Sequence, residues 1–261
     1  MTKLFINGFS YLLGDAQPED FVPFTEPRKL RRMEGISKNA LLCAYRAFEQ
    51  AGIDTAAVKE DMGLSIAMGA GALESTCKFM DTIIADGDAL SSPTAFAGSV
   101  HNSAGLTLSM FLHIKGPCLI TGQLDASFAG ALLTAQQLLA QQMCKNVLVA
   151  AAEDINPVFA DLLPRYAQDF APFFCGYPRP FKRVAAAFAV SGESTEKTQF
   201  ALDHLTLSRT DADAEKTPAP EFCSCAYPAV HFAEKLAQGK DVDFCEIFAG
   251  HIFKAEVKRY A

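Results

Sequence analysis

A strand that leads directly into a long helix is the most constraining feature of this chain. A Gly-Pro turn at 116–117 precedes an apolar run over 118–123, and an alanine- and leucine-rich stretch follows over 126–142. Another apolar run covers 146–152. The same patterns recur elsewhere, as strands at 3–9, 63–68 and 184–191 and helices at 37–51 and 73–85. Strands alternating with helices at this spacing predict a mainly parallel sheet covered by helices on both faces.

The residue at the junction of this strand and helix is Asp125. A side chain there lies beside the free N–H groups of the helix and the positive end of its dipole. A thiol in that environment has a lowered pKa and becomes a nucleophile. A carboxylate is stabilised as an anion but is a poor acyl acceptor. The structural alternative is that Asp125 is the N-cap of the helix.

Composition narrows the class of protein. The chain has 261 residues, half of them hydrophobic, which is enough for one sizeable domain or two small ones. Its net charge is −7, and its basic residues cluster only at Arg28–Arg32, so nucleic acid is not an expected partner. No apolar run is long enough to span a bilayer, and the N-terminus is too polar for a signal peptide. We expect a cytoplasmic protein.

The cysteines predict neither a disulfide framework nor a metal site. Eight are present without regular spacing, several of them within apolar segments, which is typical of reduced thiols in a large core. Cys223 and Cys225 have no second pair of ligands, so we expect no metal.

The stretch 96–113 has helical periodicity, and small residues dominate one side of it and the residue just before it. They include Ala95, Gly98, Ser99 and Asn102. Such a face either allows close helix packing or leaves room for a ligand.

After residue 155 the pattern changes, because 156–181 is rich in Pro, Phe and Tyr and has no clear period. We divide the chain into an N-terminal half, 1–155, and a shortened C-terminal half, 156–261, with an insertion or cap at 156–181.

Three segments together resemble the N-terminal half of β-ketoacyl-acyl carrier protein synthases. They read SPTAFAGSVHNSAGLTLSMFLHIKGPC, ITGQLDASFAGALLTAQQLL and NVLVAAAED, and a weaker match, RRMEGISKNALLCAYRAFEQAGI, begins at Arg31. The resemblance implies a thiolase-like layered α/β fold (α/β/α/β/α) with a complete N-terminal repeat and an abbreviated C-terminal repeat. The Ser-Val-His-Asn-Ser-Ala and Asp-Ala-Ser-Phe-Ala-Gly pieces look like the short chain-length factors of aryl polyene pathways.

The resemblance also implies that the catalytic groups are missing. In the synthases a cysteine stands eight residues after the proline of the Gly-Pro turn, and here that position is Asp125. The family's His-Gly-Thr-Gly-Thr and Asn-Phe-Gly-Phe-Gly motifs do not occur. His204, His231 and His251 stand in unrelated contexts. We therefore expect no catalytic residue, no cofactor and no independent condensing activity.

By the same resemblance, the chain pairs with an active β-ketoacyl-acyl carrier protein synthase as a heterodimer and meets the carrier protein only indirectly. The strand regions lie edge to edge, which makes 118–123 the candidate interface: Cys118, Leu119, Ile120, Thr121, Gly122 and Gln123. The helix 96–113 then shapes the partner's acyl tunnel through Ala95, Gly98, Ser99 and Asn102. Two alternatives stay open: a malonyl-carrier-protein decarboxylase, and a homodimeric acyl-binding or scaffold protein.

Overall fold

The computed structural model describes residues 3–86, 91–124, 126–154, 183–209, 226–248 and 251–260. The predicted cap at 156–181 and Asp125 lie outside these residues. In chain order the elements are β1 (Leu4–Leu13), α1 (Gly35–Gln50), β2 (Met62–Ala67), α2 (Leu73–Asp86), α3 (Pro93–Ser99), α4 (Ser103–Phe111), β3 (Cys118–Thr121), α5 (Ser127–Ala140), β4 (Asn146–Glu153), β5 (Val184–Ser191), β6 (Phe200–Arg209), α6 (Tyr227–Ala237), β7 (Val242–Phe248) and β8 (His251–Arg259). Two short 3-10 helices, Pro18–Phe21 and Pro27–Leu30, lie between β1 and α1.

The strands form one eight-stranded sheet in the order β3-β2-β4-β5-β1-β6-β8-β7. Only β3, β2 and β4 are parallel, and the remaining five pairings are antiparallel. The prediction of a mainly parallel sheet is therefore wrong beyond these three strands. The prediction failed because burial makes the two strand directions look alike in the sequence. β5 is buried at every residue, and a strand between two helical layers is a continuous apolar run whether it is parallel or antiparallel to its neighbours.

Helices cover both faces of the sheet. Side chains of β4 alternate between two cores, with Val147 and Val149 on the face of α5 and α6, and Leu148 and Ala150 on the face of α1 and α4. The core on the face of α5 and α6 contains a cluster of phenylalanines, in which the ring centroids of Phe128, Phe188 and Phe232 lie 5.5–5.6 Å apart. The layered α/β class is confirmed, and within the described residues the layers are α/β/α.

The predicted helix 96–113 is wrong in one respect, because the structure divides it into α3 and α4. Val100 between them is extended, with φ −79° and ψ 144°. Asn102 then occupies the N-cap position of α4, and the backbone N–H of Ser103 donates to the Val100 carbonyl. Val100 carries a β-branched side chain, which favours extended backbone over helix. Helical periodicity alone did not reveal this break.

Three findings concern membrane spans, cysteines and metal sites within the described residues. There, no helix is long and apolar enough to cross a bilayer. In the same ranges, Cys43, Cys118, Cys144 and Cys245 are free thiols. No group of three or more His, Cys, Asp or Glu residues within those ranges is placed to hold a metal ion.

Candidate functional site

The parallel part of the sheet brings three strand ends together. β2, β3 and β4 pair in register, with Ala67 opposite Thr121 on one side and opposite Ala151 on the other. The segments that leave their carboxyl ends, 68–72, 122–124 and 153–154, therefore meet at one edge. Ligand sites of open α/β sheets form at this end of parallel strands.

The turn from β3 into α5 is tightly wound. Leu124 has φ +49°, in the left-handed region that non-glycine residues seldom adopt. The buried Ser127 hydroxyl accepts from the backbone N–H of Gln123 at 2.8 Å and donates to the Leu124 carbonyl at 2.6 Å. The N-cap position of α5 is Ala126, so the interpretation of Asp125 as the N-cap is wrong. The expected passage from strand to helix through this turn is confirmed.

Close contact between α5 and β3 fixes the direction of that helix. A methyl group added at Gly130 would lie 2.6 Å from Cγ2 of Thr121, so only glycine permits this approach. The hydroxyl of Ser65 on β2 also donates to the Ala131 carbonyl at 2.9 Å. The first turn of α5 is thus held against both strands.

A histidine that the sequence reasoning passed over lies beside this turn. His101 is exposed, and its ring packs against Gly71, where an added methyl group would lie 2.8 Å from Nε2. The same ring is 3.8 Å from a methyl group built on Gly122. His101 is part of the Ser-Val-His-Asn-Ser-Ala segment, but only the fold brings it between Gly71 and Gly122. By contrast, His231 lies on α6, stacked on Tyr227 at 5.6 Å, and His204 lies on β6.

Glu153 is a second residue that the sequence did not single out. It ends β4 with only 2% of its side chain exposed. Its carboxyl oxygens accept from the backbone N–H groups of Gly69 and Ala70 at 2.9 and 3.1 Å. Burial raises the pKa of Glu153 to about 8, against the opposing effect of these N–H donors. The carboxyl group therefore ties the end of β4 to the loop that follows β2.

An ion cluster lies next to Glu153 and joins four segments. The Arg183 guanidinium, just before β5, donates through Nε to Asp154 at 2.7 Å and through a terminal nitrogen to Glu74 at 2.6 Å. It also pairs with Asp15. Asp154 is buried and additionally accepts from the backbone N–H of Glu74 at 3.3 Å. A partly buried charge with this many partners holds the loop end of the sheet in one arrangement.

The predicted tunnel residues lie around the break between α3 and α4 but do not share one environment. Gly98 is buried, and a methyl group there would collide with Oε1 of Glu34 and lie 3.3 Å from Oγ of Ser75. Ala95 and Ser99 are half-buried, and Asn102 is exposed. At Gly98 the geometry is that of close packing between α3 and its neighbours.

The predicted interface residues lie on and just after β3, which is the edge strand of the described sheet. Cys118, Leu119, Gly122 and Gln123 are exposed, and Ile120 and Thr121 are half-buried. α4 packs on this strand through Gly105, where an added methyl group would lie 2.7 Å from Cδ1 of Ile120. Cys118 is at the far end of β3 from the turn, so it cannot substitute for a nucleophile at position 125.

The comparison with protein families decides the identity of the chain. Residues 13–237 match the family model described as the β-ketoacyl synthase N-terminal domain. The chain belongs to this family. No curated protein matches the sequence.

Solved structures of β-ketoacyl synthase relatives share the fold. The ishigamide ketosynthase/chain length factor has a TM-score of 0.73 at 14% identity, covering 99% of this chain and 100% of that chain. The ketosynthase complex of an acyl-carrier protein, AntDE:AntF, reaches 0.80 at 10% identity, covering 99% of both. The ketosynthase ApeO in complex with its chain length factor ApeC from Xenorhabdus doucetiae reaches 0.67 at 15% identity, covering 98% of this chain and 100% of that chain. Likeness at these identities describes the fold.

Proposed function

We propose that this β-ketoacyl synthase family member is a non-catalytic, chain-length-factor-like subunit. It pairs with an active β-ketoacyl-acyl carrier protein synthase in the cytoplasm and shapes the acyl tunnel of that enzyme in polyketide or aryl polyene synthesis. The observation that carries the proposal is an exposed apolar edge at β3 beside a nucleophile turn that has aspartate in place of cysteine. Claisen condensation needs an acyl-accepting thiolate, which this turn does not supply.

The edge at β3 has the properties of a pairing surface. One side of the strand is bonded to β2, and within the described residues no strand pairs with its other side. Large apolar side chains are exposed on the strand and on the helix that packs against it: Leu119 at 43%, and Leu106 and Met110 of α4 at 60% and 64%. An edge strand from a second subunit would satisfy the backbone groups and cover these side chains. Two similar subunits would meet through the same patch on each.

Co-expression with a full-length synthase that has an intact Cys-His-His set tests the pairing. We expect the two chains to co-purify, and Leu106→Glu combined with Met110→Glu to abolish co-purification because both charges would be buried without partners. Val58→Glu is the matched control, since Val58 is also an exposed apolar residue, at 57%, but lies outside the edge. Equal co-purification of the double variant and the control would refute pairing through this surface. A stable homodimer by native mass spectrometry, without synthase binding, would favour the scaffold alternative.

The tunnel role is tested best at Ser99, because Gly98 is packed against Glu34. Ser99 is half-buried and its hydroxyl donates to the carbonyl of Phe96, at 2.8 Å. In the complex, Ser99→Phe should shorten the partner's products by filling the end of the tunnel. Ala97→Phe, on an exposed position of the same helix, is the control. Identical product lengths in both complexes would exclude Ser99 from the tunnel.

His101 is the observation that favours the decarboxylase alternative, because it places an imidazole beside the turn at Gly122. A histidine near the reacting carboxylate can promote loss of carbon dioxide by stabilising the developing negative charge. Incubation of the isolated chain with malonyl-loaded carrier protein measures this directly. Decarboxylation that is lost in His101→Ala would establish the alternative, and no acetyl product would remove it.

A further inference from the structure

A basic cluster of this acidic chain borders an apolar cavity that the proposed function does not use. The cavity has a volume of about 360 Å³ and is formed by the segment between β1 and α1 and by the first turn of α1. Five of its eight lining side chains are apolar, and the other three are cations. The apolar residues are Ala16, Pro18, Phe21, Pro27 and Leu30, and the cations are Arg28, Arg31 and Lys38.

The apolar floor of the cavity is part of the protein core. Phe21 and Leu30 are 1% and 3% exposed and pack in the same core as α1. Each is the last residue of one of the two 3-10 helices, and the backbone N–H groups of Phe24 and Thr25 both donate to the Phe21 carbonyl. The floor is therefore formed before any ligand arrives, which lowers the entropic cost of binding.

The three cations that line the cavity, which form its rim, have few ion-pair partners. Arg28 pairs with Glu26. Arg31 and Lys38 make no ion pair with any residue that the structure describes. In a chain of net charge −7, two unpaired cations beside an apolar cavity are a local departure from the overall charge. Guanidinium and ammonium groups bind carboxylate and phosphate oxygens.

We propose that this cavity binds a single-chain anionic amphiphile, with the hydrocarbon against Ala16, Pro18 and Pro27 above the Phe21 and Leu30 floor and the oxyanion held by Arg31 and Lys38. A volume of about 360 Å³ is within the range of small-molecule sites, which combine an apolar lining with a few polar groups that fix orientation. A medium-chain fatty carboxylate and an alkyl phosphate share the required chemistry. The site is independent of pairing through β3, because no residue of β3 or α4 lines it.

Isothermal titration calorimetry of the full chain with decanoate and with decyl phosphate tests the proposal. Binding of either ligand supports it and identifies the preferred head group. Arg31→Ala combined with Lys38→Ala should weaken binding at least about tenfold, the effect of losing charge-assisted contacts. Arg32→Ala is the matched control, since Arg32 is an exposed cation of the same segment that does not line the cavity, and its affinity should be unchanged. Thermal unfolding of each variant verifies that it is folded.

A second variant tests the apolar half of the site. Ala16→Leu leaves all three cations in place and fills part of the cavity, so it should weaken the binding of decanoate. Decylammonium should not bind, because its charge is repelled by the rim. The proposal is overturned by equal binding of decylammonium, by unchanged affinity in the Arg31/Lys38 double variant, or by absence of binding to both anions. Association only with phosphatidylglycerol vesicles would assign the basic cluster to a membrane surface and overturn it as well.

Discussion

Substitution of Glu153 by glutamine should change how the stability of this protein depends on pH. In the folded chain burial raises the pKa of this carboxyl group from 4.5 to about 8. Below pH 4.5 both the folded and the unfolded states bind the proton, and above about pH 8 neither does. Between these values only the folded state keeps it. The free energy of unfolding therefore falls as the pH rises through this window.

The expected size of this effect is large for a single side chain. The slope is at most about 1.4 kcal/mol per pH unit, and the loss over the whole window is about 5 kcal/mol. Small domains are stable by roughly 5–15 kcal/mol, so the change is measurable. Glu153→Gln removes the titration but keeps the shape of the side chain. Any lost hydrogen bond to Gly69 or Ala70 adds an offset that does not vary with pH.

Urea unfolding curves measured from about pH 4.5 to 8 for both proteins provide the test. The difference between their free energies of unfolding should shift by several kcal/mol in favour of the variant as the pH rises. Glu49→Gln, at an exposed position near the end of α1, controls for loss of a carboxylate as such. If the curves of the wild type and Glu153→Gln stay parallel across the window, the raised pKa of Glu153 is refuted.

Two further substitutions probe the turn after β3. Ser127→Ala should lower the free energy of unfolding by about 1–3 kcal/mol, because the Gln123 N–H loses its acceptor and the Leu124 carbonyl loses one of its two donors. Denaturant titration measures this, and a loss no greater than that of Ser109→Ala, whose hydroxyl donates to the carbonyl of Leu106 at an exposed position, would contradict the account. Asp125→Cys should not create a synthase in an assay with malonyl-loaded and acyl-loaded carrier protein, because the two histidine motifs of the family are absent. Condensation by this variant would show that the C-terminal half had been misinterpreted.

Local sequence was a good guide to the type of each element. The continuous apolar run of 184–191 coincides with β5, and the predicted strand 118–123 contains β3. These features depend on neighbouring residues, which impose their backbone preferences whatever the rest of the chain does.

The polar groups at the strand ends could not be predicted in the same way. Glu153 meets a loop 83 or 84 positions earlier in the chain, and Arg183 meets Asp15 across 168 positions. The sequence around a carboxylate at the end of a strand does not show whether the group is exposed or buried. Only the packing of β4 between two helical layers removes Glu153 from water and leaves the N–H groups of Gly69 and Ala70 as its partners.

The sequence by itself determined the strand and helix content, the aspartate at the nucleophile position and the concentration of cations at Arg28–Arg32. The tertiary structure alone decided the direction of each strand, the place of β3 at the edge of the sheet and the cavity beside Arg31 and Lys38. The physical reason is the range of the interactions. Backbone propensity and hydrophobic periodicity act over a few residues, whereas strand order and burial depend on contacts between segments far apart in the chain. One pattern of strands and helices is compatible with many different strand orders.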